Sequence, residues 1–372
     1  SSSLSNRTER LEKKTLFMRI EEVESITKKM WLIRYSIQIT LLLVVLLVIG
    51  CNAKQKKTNF DSKIFSKIKI LGSLGTAPGQ FVKPRSIAVD LEDNVYVCDM
   101  TGRIQKFDSE GNYLLQWQMP QIERGRPKGM TLDHKGNIVV VEPHYSRINH
   151  FNKEGQLISQ WGVHGKKLGQ LSFPRAIAIG NDGSAYVSEF QIIERVQKFQ
   201  LNRKSVLFEI QGAGNAPGQF NRAEGLSLSP EGNLFVADSC NHRIQIFSTN
   251  GTFLSSIGKA GTARGEFSYP YDIKIDKSGN QYVCEFGNSR LTVLNSIGQV
   301  IELIGQPGSL PGEFNNPWSL ALDSKGNLYV ADSQNHRVQK LIRNKSFAIK
   351  NMIKDSAEGS LRLEKTPSTI AN

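Results

Sequence analysis

Six acids and six arginines recur in step along this chain. The acids are Asp99, Glu142, Glu189, Asp238, Glu285 and Asp332, and an arginine follows each by four to six residues, at Arg103, Arg147, Arg195, Arg243, Arg290 and Arg337. Carboxylates near a charged partner are the material of general acid–base catalysis. A reaction site, however, is built once, and this pairing is written six times. The repetition points instead to an ion pair or backbone-bracing hydrogen bond in each copy. His242 and His336 fall in the same loop and take the same reading. His134 sits in a predicted hairpin turn, and His144, His150 and His164 lack metal-ligand spacing. Cys98 and Cys284 stand where other copies have Ala, so they read as small buried residues, and Cys240 lies in a loop. With no Cys-x-x-Cys and no His/Cys cluster, neither a zinc site nor a disulfide framework is indicated. No catalytic residue, metal or cofactor is predicted.

The elements that must position these pairs are themselves repeated. "NLFVADSCNHRIQI" (Asn233 to Ile246) and "NLYVADSQNHRVQK" (Asn327 to Lys340) agree at ten of fourteen positions, 94 residues apart. With the phenylalanine of "PGQF" as marker, Phe220, Phe267 and Phe314 are 47 apart. Phe81 heads the first unit, and Phe173 is taken as the marker of the third. A unit with a shortened opening loop lies between those two, around "RGRPKGMTLDHKGNIVVV" (Arg124 to Val141), which makes six. Each unit reads as a Gly-rich loop, an apolar strand, a tight turn such as "KSGN", a β-rich run such as "LYVAD", a loop ending in Arg, a third strand, a second turn and a fourth strand. Four short antiparallel strands in about 47 residues is the size of a propeller blade.

At these residues the chain resembles the NHL-repeat family: a G-x-F/P loop, an apolar strand, the D-x-x-G-N turn, then V-A-D-S-x-N-H-R-I-Q. The likeness covers residues 72–343 and is nearly verbatim in units four and six. It implies an all-β fold, a six-bladed β-propeller, in which neighbouring blades bury faces that no blade can bury alone. Unit six lacks a clear fourth strand, and "FSKIKILGSLG" (Phe65 to Gly75) reads as a strand without a partner. The N-terminal strand is therefore expected to join the last blade and close the ring.

In such a ring, function is expected where the units differ, at the channel mouth. The residue after the Pro position of each unit is Arg85, Lys128, Arg175, Glu224, Tyr271 and Trp318. Three consecutive cations face a sector of one acid and two aromatics. This suits an anionic or sugar-like ligand, with Tyr271 and Trp318 as stacking faces. The propeller of peptidyl-α-hydroxyglycine α-amidating lyase is similar to these blades, and there the resemblance implies zinc-binding His after Pro. No unit here has His at that place. Lactonase-like propellers imply Glu, Asn and Asp metal ligands in the channel. Only Glu224, with Asp272 one residue deeper in unit five, offers a matching type.

The flanks read as address rather than fold. "IQITLLLVVLLVIG" (Ile37 to Gly50) is fourteen uncharged, mostly apolar residues, short of the roughly 20 a spanning helix needs. Lys28, Lys29 and Arg34 precede it, and "VIGC" (Val48 to Cys51) resembles the lipobox of bacterial lipoproteins. The resemblance implies lipidation of Cys51, and Asn52 after it favours the outer membrane. The expected organisation is residues 1–50 as upstream extension and signal peptide, 51–63 as a lipid-anchored polar tether, 64–347 as the propeller and 348–372 as a polar tail.

Of the formal charge of +13, residues 1–50 carry +3, residues 51–60 another +3 and the last 29 residues +2, so +5 belongs to the central 283. That distribution speaks weakly for a nucleic-acid surface, and none is expected as partner. The expected protein is a monomer at the cell envelope, held to the membrane by lipid, outer membrane or periplasmic face favoured. It binds or scaffolds a protein, peptide or glycan. The alternative is a hydrolase or lyase with its site at the channel mouth.

Overall fold

The hairpin turns set the frame. The Asp276 carboxylate accepts the backbone N–H groups of Ser278 and Asn280 at 3.0 and 2.9 Å and the Asn280 side-chain amide at 3.0 Å. Gly279 closes this turn at φ +77°, a left-handed conformation in which a side chain is costly. The same Asp-to-Asn clasp fastens residues 90–94, 108–112 and 323–327. Runs rich in Val, Ile, Tyr and Phe fill the space between turns, where β-branched and aromatic side chains pack well on a pleated surface.

The computed structural model describes residues 29–40 and 60–347. Residues 29–40 are helical. Among the described residues no helix is long and apolar enough to cross a membrane. Cys51, most of the expected tether and the tail from 348 lie outside the described residues.

Residues 60–347 contain 24 strands in six four-stranded antiparallel sheets. Strand β1 is Phe65–Leu71. Numbered in chain order, β2–β5 (84–118), β6–β9 (130–161), β10–β13 (174–211), β14–β17 (223–257) and β18–β21 (270–304) form blades one to five. Blade six is β22–β24 (317–343) with β1 as its outer strand. The expected six-bladed propeller closed by its N-terminal strand is thus what the chain forms. Strand β1 runs antiparallel to β24, with Ile68 opposite Leu341 and Leu71 opposite Val338. The clasp extends beyond the strand: Ser62 Oγ and the Lys63 N–H donate to the Glu302 carboxylate of blade five at 2.9 and 2.8 Å.

Six apolar clusters hold the ring, one between each pair of neighbouring blades. Between blades one and six, for example, Ile87, Val95, Val97 and Phe107 meet Ala321, Tyr329, Ala331 and Val338. Between blades four and five, Phe235, Ala237 and Ile244 meet Ile273, Val283 and Leu294. Residues of the second and third strands are almost all buried, whereas the fourth strands are largely exposed. Each large side chain buried this way contributes about 1.5–3 kcal/mol.

The marker of unit three differs from the sequence expectation. Leu171, not Phe173, makes the parallel bridge that Phe81, Phe220, Phe267 and Phe314 make in their own loops. Leu171 is fully buried like those phenylalanines. Leucine meets the same packing need, so the aromatic identity was not kept there. Phe173 instead has φ +51°, as Lys83, Tyr269 and Asn316 do ahead of their first strands.

All six acid–arginine pairs form as expected. The contacts are Arg103–Asp99 at 3.2 Å, Arg147–Glu142 at 2.5 Å, Arg195–Glu189 at 2.9 Å, Arg243–Asp238 at 2.8 Å, Arg290–Glu285 at 2.8 Å and Arg337–Asp332 at 2.7 Å. In five of the six the guanidinium also caps carbonyls of its own blade's opening loop, whereas Arg147, beside the shortened loop of blade two, donates to the Gln121 side chain. Arg243, for instance, donates to Asn215, Ala216 and Gln219 at 2.8–3.0 Å. The pair therefore fixes a loop that has no ladder of its own to satisfy its carbonyls.

Candidate functional site

The innermost strands β2, β10, β14, β18 and β22, and the segment leading into β6, bring one residue each to the mouth of the channel. Arg85, Lys128, Arg175, Glu224, Tyr271 and Trp318 come from six different blades, and all six line one narrow cavity of about 40 Å³. Such a space admits water or a group of a few heavy atoms.

The charges are not used equally. Arg175 and Glu224 form a two-pronged pair in which Arg175 Nη2 donates to Oε1 at 2.9 Å and Arg175 Nε donates to Oε2. Both side chains are buried. Arg222, two residues ahead of Glu224, donates to Glu224 Oε1 at 2.7 Å and to the Tyr271 hydroxyl at 2.9 Å. Glu224 thus serves two guanidinium groups. The side chains of Arg85 and Lys128 have no ion pair or hydrogen bond among the described residues, and Arg85 Nε is buried without a partner. Their company is Trp318: the Arg85 guanidinium and the Lys128 amine each lie 4.9 Å from its ring centroid, with Arg175 at 5.8 Å.

Removal from water disfavours a charged amine or guanidinium, and a like charge nearby disfavours it further. Burial, with Arg175 and Arg85 close by, brings the Lys128 ammonium down to about 6. Burial and Arg175 bring Arg85 down to about 10. His144 at the same mouth is also lowered, by burial first and then by Lys128. Burial raises the Tyr271 phenol.

The expected aromatic platforms are already occupied. Tyr271 stacks on Phe286 with centroids 4.3 Å apart and meets Trp318 edge-on at 5.3 Å. Trp318 carries cations on its ring. The mouth therefore offers a cation-capped aromatic cluster rather than an open stacking face for a sugar ring. Asp272, the deeper acid, accepts from Ser319 Oγ, the Leu320 N–H, the Ile273 N–H and Lys274 Nζ at 2.8–3.0 Å. Among the described residues no group of three or more His, Cys, Asp and Glu side chains is placed to hold a metal.

The family model described as NHL repeat matches residues 220–247 and 314–341, in units four and six. The chain is a six-bladed propeller that carries NHL repeats. It is 31% identical over 178 residues to NHL repeat-containing protein 3 of Mus musculus, covering 43% of this chain and 50% of that protein. It is 27% identical over 142 residues to Protein brain tumor of Drosophila melanogaster, covering 36% of this chain and 12% of that protein. The chain thus spans half or less of these curated relatives. Among solved structures, virginiamycin B lyase from Staphylococcus aureus has a TM-score of 0.54 at 15% identity, covering 74% of this chain and 99% of that one. A gluconolactonase from Xanthomonas campestris has a TM-score of 0.54 at 13% identity, covering 77% and 99%. These two likenesses show the fold alone.

Three mouth residues of this propeller escaped the sequence reading. Phe190 and Phe286 follow the strand-two acids Glu189 and Glu285, where units four and six have Ser239 and Ser333. Phe190 lies beneath both Arg175 and Arg222, at 5.0 and 5.2 Å. Arg222 precedes the mouth position of blade four. All three were visible as departures from the repeat, but only at positions outside the one ring that was compared. Two wider hollows, about 550 and 500 Å³, lie among the hairpin turns at the other ends of the inner strands. Their acids are engaged locally: Asp182 with Ser184 and Lys198, Asp276 with Asn280 and Tyr282.

Proposed function

We propose that this NHL-repeat propeller is a binding module whose partner, a protein or peptide, presents an acidic group to the channel mouth. The observation that carries this reading is the unpartnered Arg85 guanidinium on the ring of Trp318, with the Lys128 amine beside it placed to take up a proton when a carboxylate arrives. A cation held half out of water without a counter-ion is a standing cost that an incoming carboxylate relieves. The narrow cavity supports a partner that docks across the mouth and inserts only one small group. The engaged faces of Tyr271 and Trp318 favour a carboxylate over a sugar ring. We place the protein at the cell envelope, anchored by lipid on Cys51, on the strength of the apolar run ending in "VIGC".

The test is retention of envelope proteins by the immobilised full chain. A partner recovered by the unaltered protein, and lost with Arg85→Gln and Lys128→Gln together, supports the reading. A partner that survives those changes but is lost on replacing Leu91, which is exposed on the opposite face, moves the binding surface there.

The second reading, a hydrolase or lyase at the mouth, is favoured by one feature: the free Lys128 amine.

A further inference from the structure

Among the described residues four lysines cover aromatic rings; Lys106, over Tyr96 at 5.3 Å, and Lys128 do so without an ion pair, and of the four only Lys128 lines the mouth cavity. Lys198 lies 5.0 Å from the Tyr186 ring and pairs with Asp182 at 3.3 Å. Lys340 lies 5.0 Å from the Tyr329 ring and pairs with Asp323 at 3.6 Å. Lys128 covers Trp318 without any carboxylate partner. The one acid facing it, Glu224, is engaged by Arg175 and Arg222. The other charged or titratable groups around it are Arg85, Arg175, Arg222 and His144, and the same cavity is lined by Tyr271 and by Asp272, which pairs with Lys274.

We propose that Lys128 is a nucleophilic amine that captures the carbonyl of a small oxo acid at the channel mouth, with Arg85 receiving the acid's carboxylate. A lysine that is partly withdrawn from water and crowded by guanidinium groups keeps its lone pair at neutral pH, the condition for imine formation. The lowered proton affinity of Lys128 agrees with that geometry. Arg85 supplies what the carboxylate needs: a guanidinium with a buried, unpartnered Nε on the same indole ring. The cavity of about 40 Å³ limits the bound head group to a few heavy atoms.

The step balances without a further reactant. The Lys128 lone pair attacks the carbonyl carbon and the C=O π electrons move to oxygen. The two protons that leave nitrogen end on that oxygen, exchanged through solvent at the open mouth. The C–O bond breaks, water leaves and a C=N bond remains.

This inference rests on the mouth being the functional surface, and the experiment separates the two. The full-length protein is treated at pH 7 with glyoxylate and cyanoborohydride, and labelled lysines are located by peptide mass spectrometry. Comparison within one molecule needs no variant that might unfold. Lys128 is expected to be labelled more than about tenfold faster than exposed Lys277, because an ordinary lysine is almost wholly protonated at that pH. Acetaldehyde, which lacks a carboxylate, should show a smaller preference for Lys128, and Arg85→Gln should remove the difference between the two probes. Labelling of Lys128 no faster than Lys277 overturns the inference. If an acidic partner still binds in the absence of reductant, the binding role survives that failure. If neither occurs, both fall.

Discussion

The backbone N–H of Lys83 donates to His336 Nδ1 at 3.1 Å, across 253 residues of sequence. Lys83 precedes the first strand of blade one, and His336 ends the loop before the third strand of blade six. The bond therefore spans the seam where the ring closes. The same latch joins blade four to blade five, where the Tyr269 N–H donates to His242 Nδ1 at 3.2 Å. At two other seams different residues do the same work: Glu194 accepts from the Arg222 N–H at 2.8 Å and Ser289 from the Asn316 N–H at 3.3 Å. The His of the repeat is an inter-blade acceptor for a residue in left-handed conformation. His336→Ala leaves the Lys83 N–H unpaired and is expected to cost about 1–3 kcal/mol. Chemical denaturation measures it; an unchanged midpoint and slope would show that the latch adds nothing at the seam.

Closure by β1 makes a second prediction. Phe65 is fully buried, its ring 6.4 Å from that of Tyr282 in blade five. Phe65→Ala opens a cavity where the outer strand of blade six meets its neighbour, at an expected cost of about 3–5 kcal/mol. Leu114→Ala, on the exposed outer strand of blade one, should cost within about 0.5 kcal/mol. Equal melting temperatures for the two variants would contradict the role given to β1.

Anchoring by lipid is tested in cells. Cys51→Ser should move the protein from the membrane fraction to the soluble one, without loss of fold in the propeller. Metabolic labelling with a fatty-acid analogue should mark the unaltered protein and not the variant. Labelling that persists in Cys51→Ser would rule out the lipidation site.

Much of this could be read directly, for reasons of local chemistry. A repeated Asp–Gly–Asn turn specifies a hairpin wherever it occurs, and six copies of one four-strand unit leave few arrangements other than a ring. The strand at Phe65 declared its partner by lacking one. Leu171 was missed because packing tests volume and polarity, not aromatic identity. The six mouth residues were legible because five of them stand second in an inner strand, and Lys128 lies two residues ahead of β6 at the matching place in its unit. Their pairing was not legible. Arg175 and Glu224 are 49 residues apart, and no local rule says which guanidinium an adjacent blade's carboxylate will choose. Three cations in sequence facing one acid therefore read alike, whereas one of them is engaged by it.

The protonation of Lys128 gives a pH signature. Its ammonium is brought from its ordinary value down to about 6 in the fold, so between that pH and about 10.5 the unfolded chain binds more protons than the folded one. Stability then rises with pH across that window, and below about 6 the cost of the buried charge is fully present. Lys128→Met removes the charge and keeps a flexible apolar stem. Its gain in melting temperature over the unaltered protein should be greatest at pH 6 and below and should fade towards pH 10. Thermal melts across that range check it, and a difference that does not vary with pH would mean that Lys128 titrates normally.

The unequal use of the mouth cations yields the sharpest test. Arg175 sits in a buried two-pronged pair with Glu224, so Arg175→Gln leaves a buried carboxylate with only Arg222 to answer it. Breaking a buried pair this way is expected to cost about 3–5 kcal/mol, somewhat less here because Arg222 remains. Arg85 has no carboxylate to lose, and Arg175 lies close enough to repel it. Arg85→Gln should therefore be neutral or stabilising in the empty protein. An added acidic peptide should raise the melting temperature of the unaltered protein by binding the folded state, and the gain should shrink with salt, which screens the half-exposed charges. The gain should vanish with Arg85→Gln and Lys128→Gln together. If Arg175→Gln proves harmless and Arg85→Gln costly, the division of the mouth into an engaged pair and a waiting one is wrong.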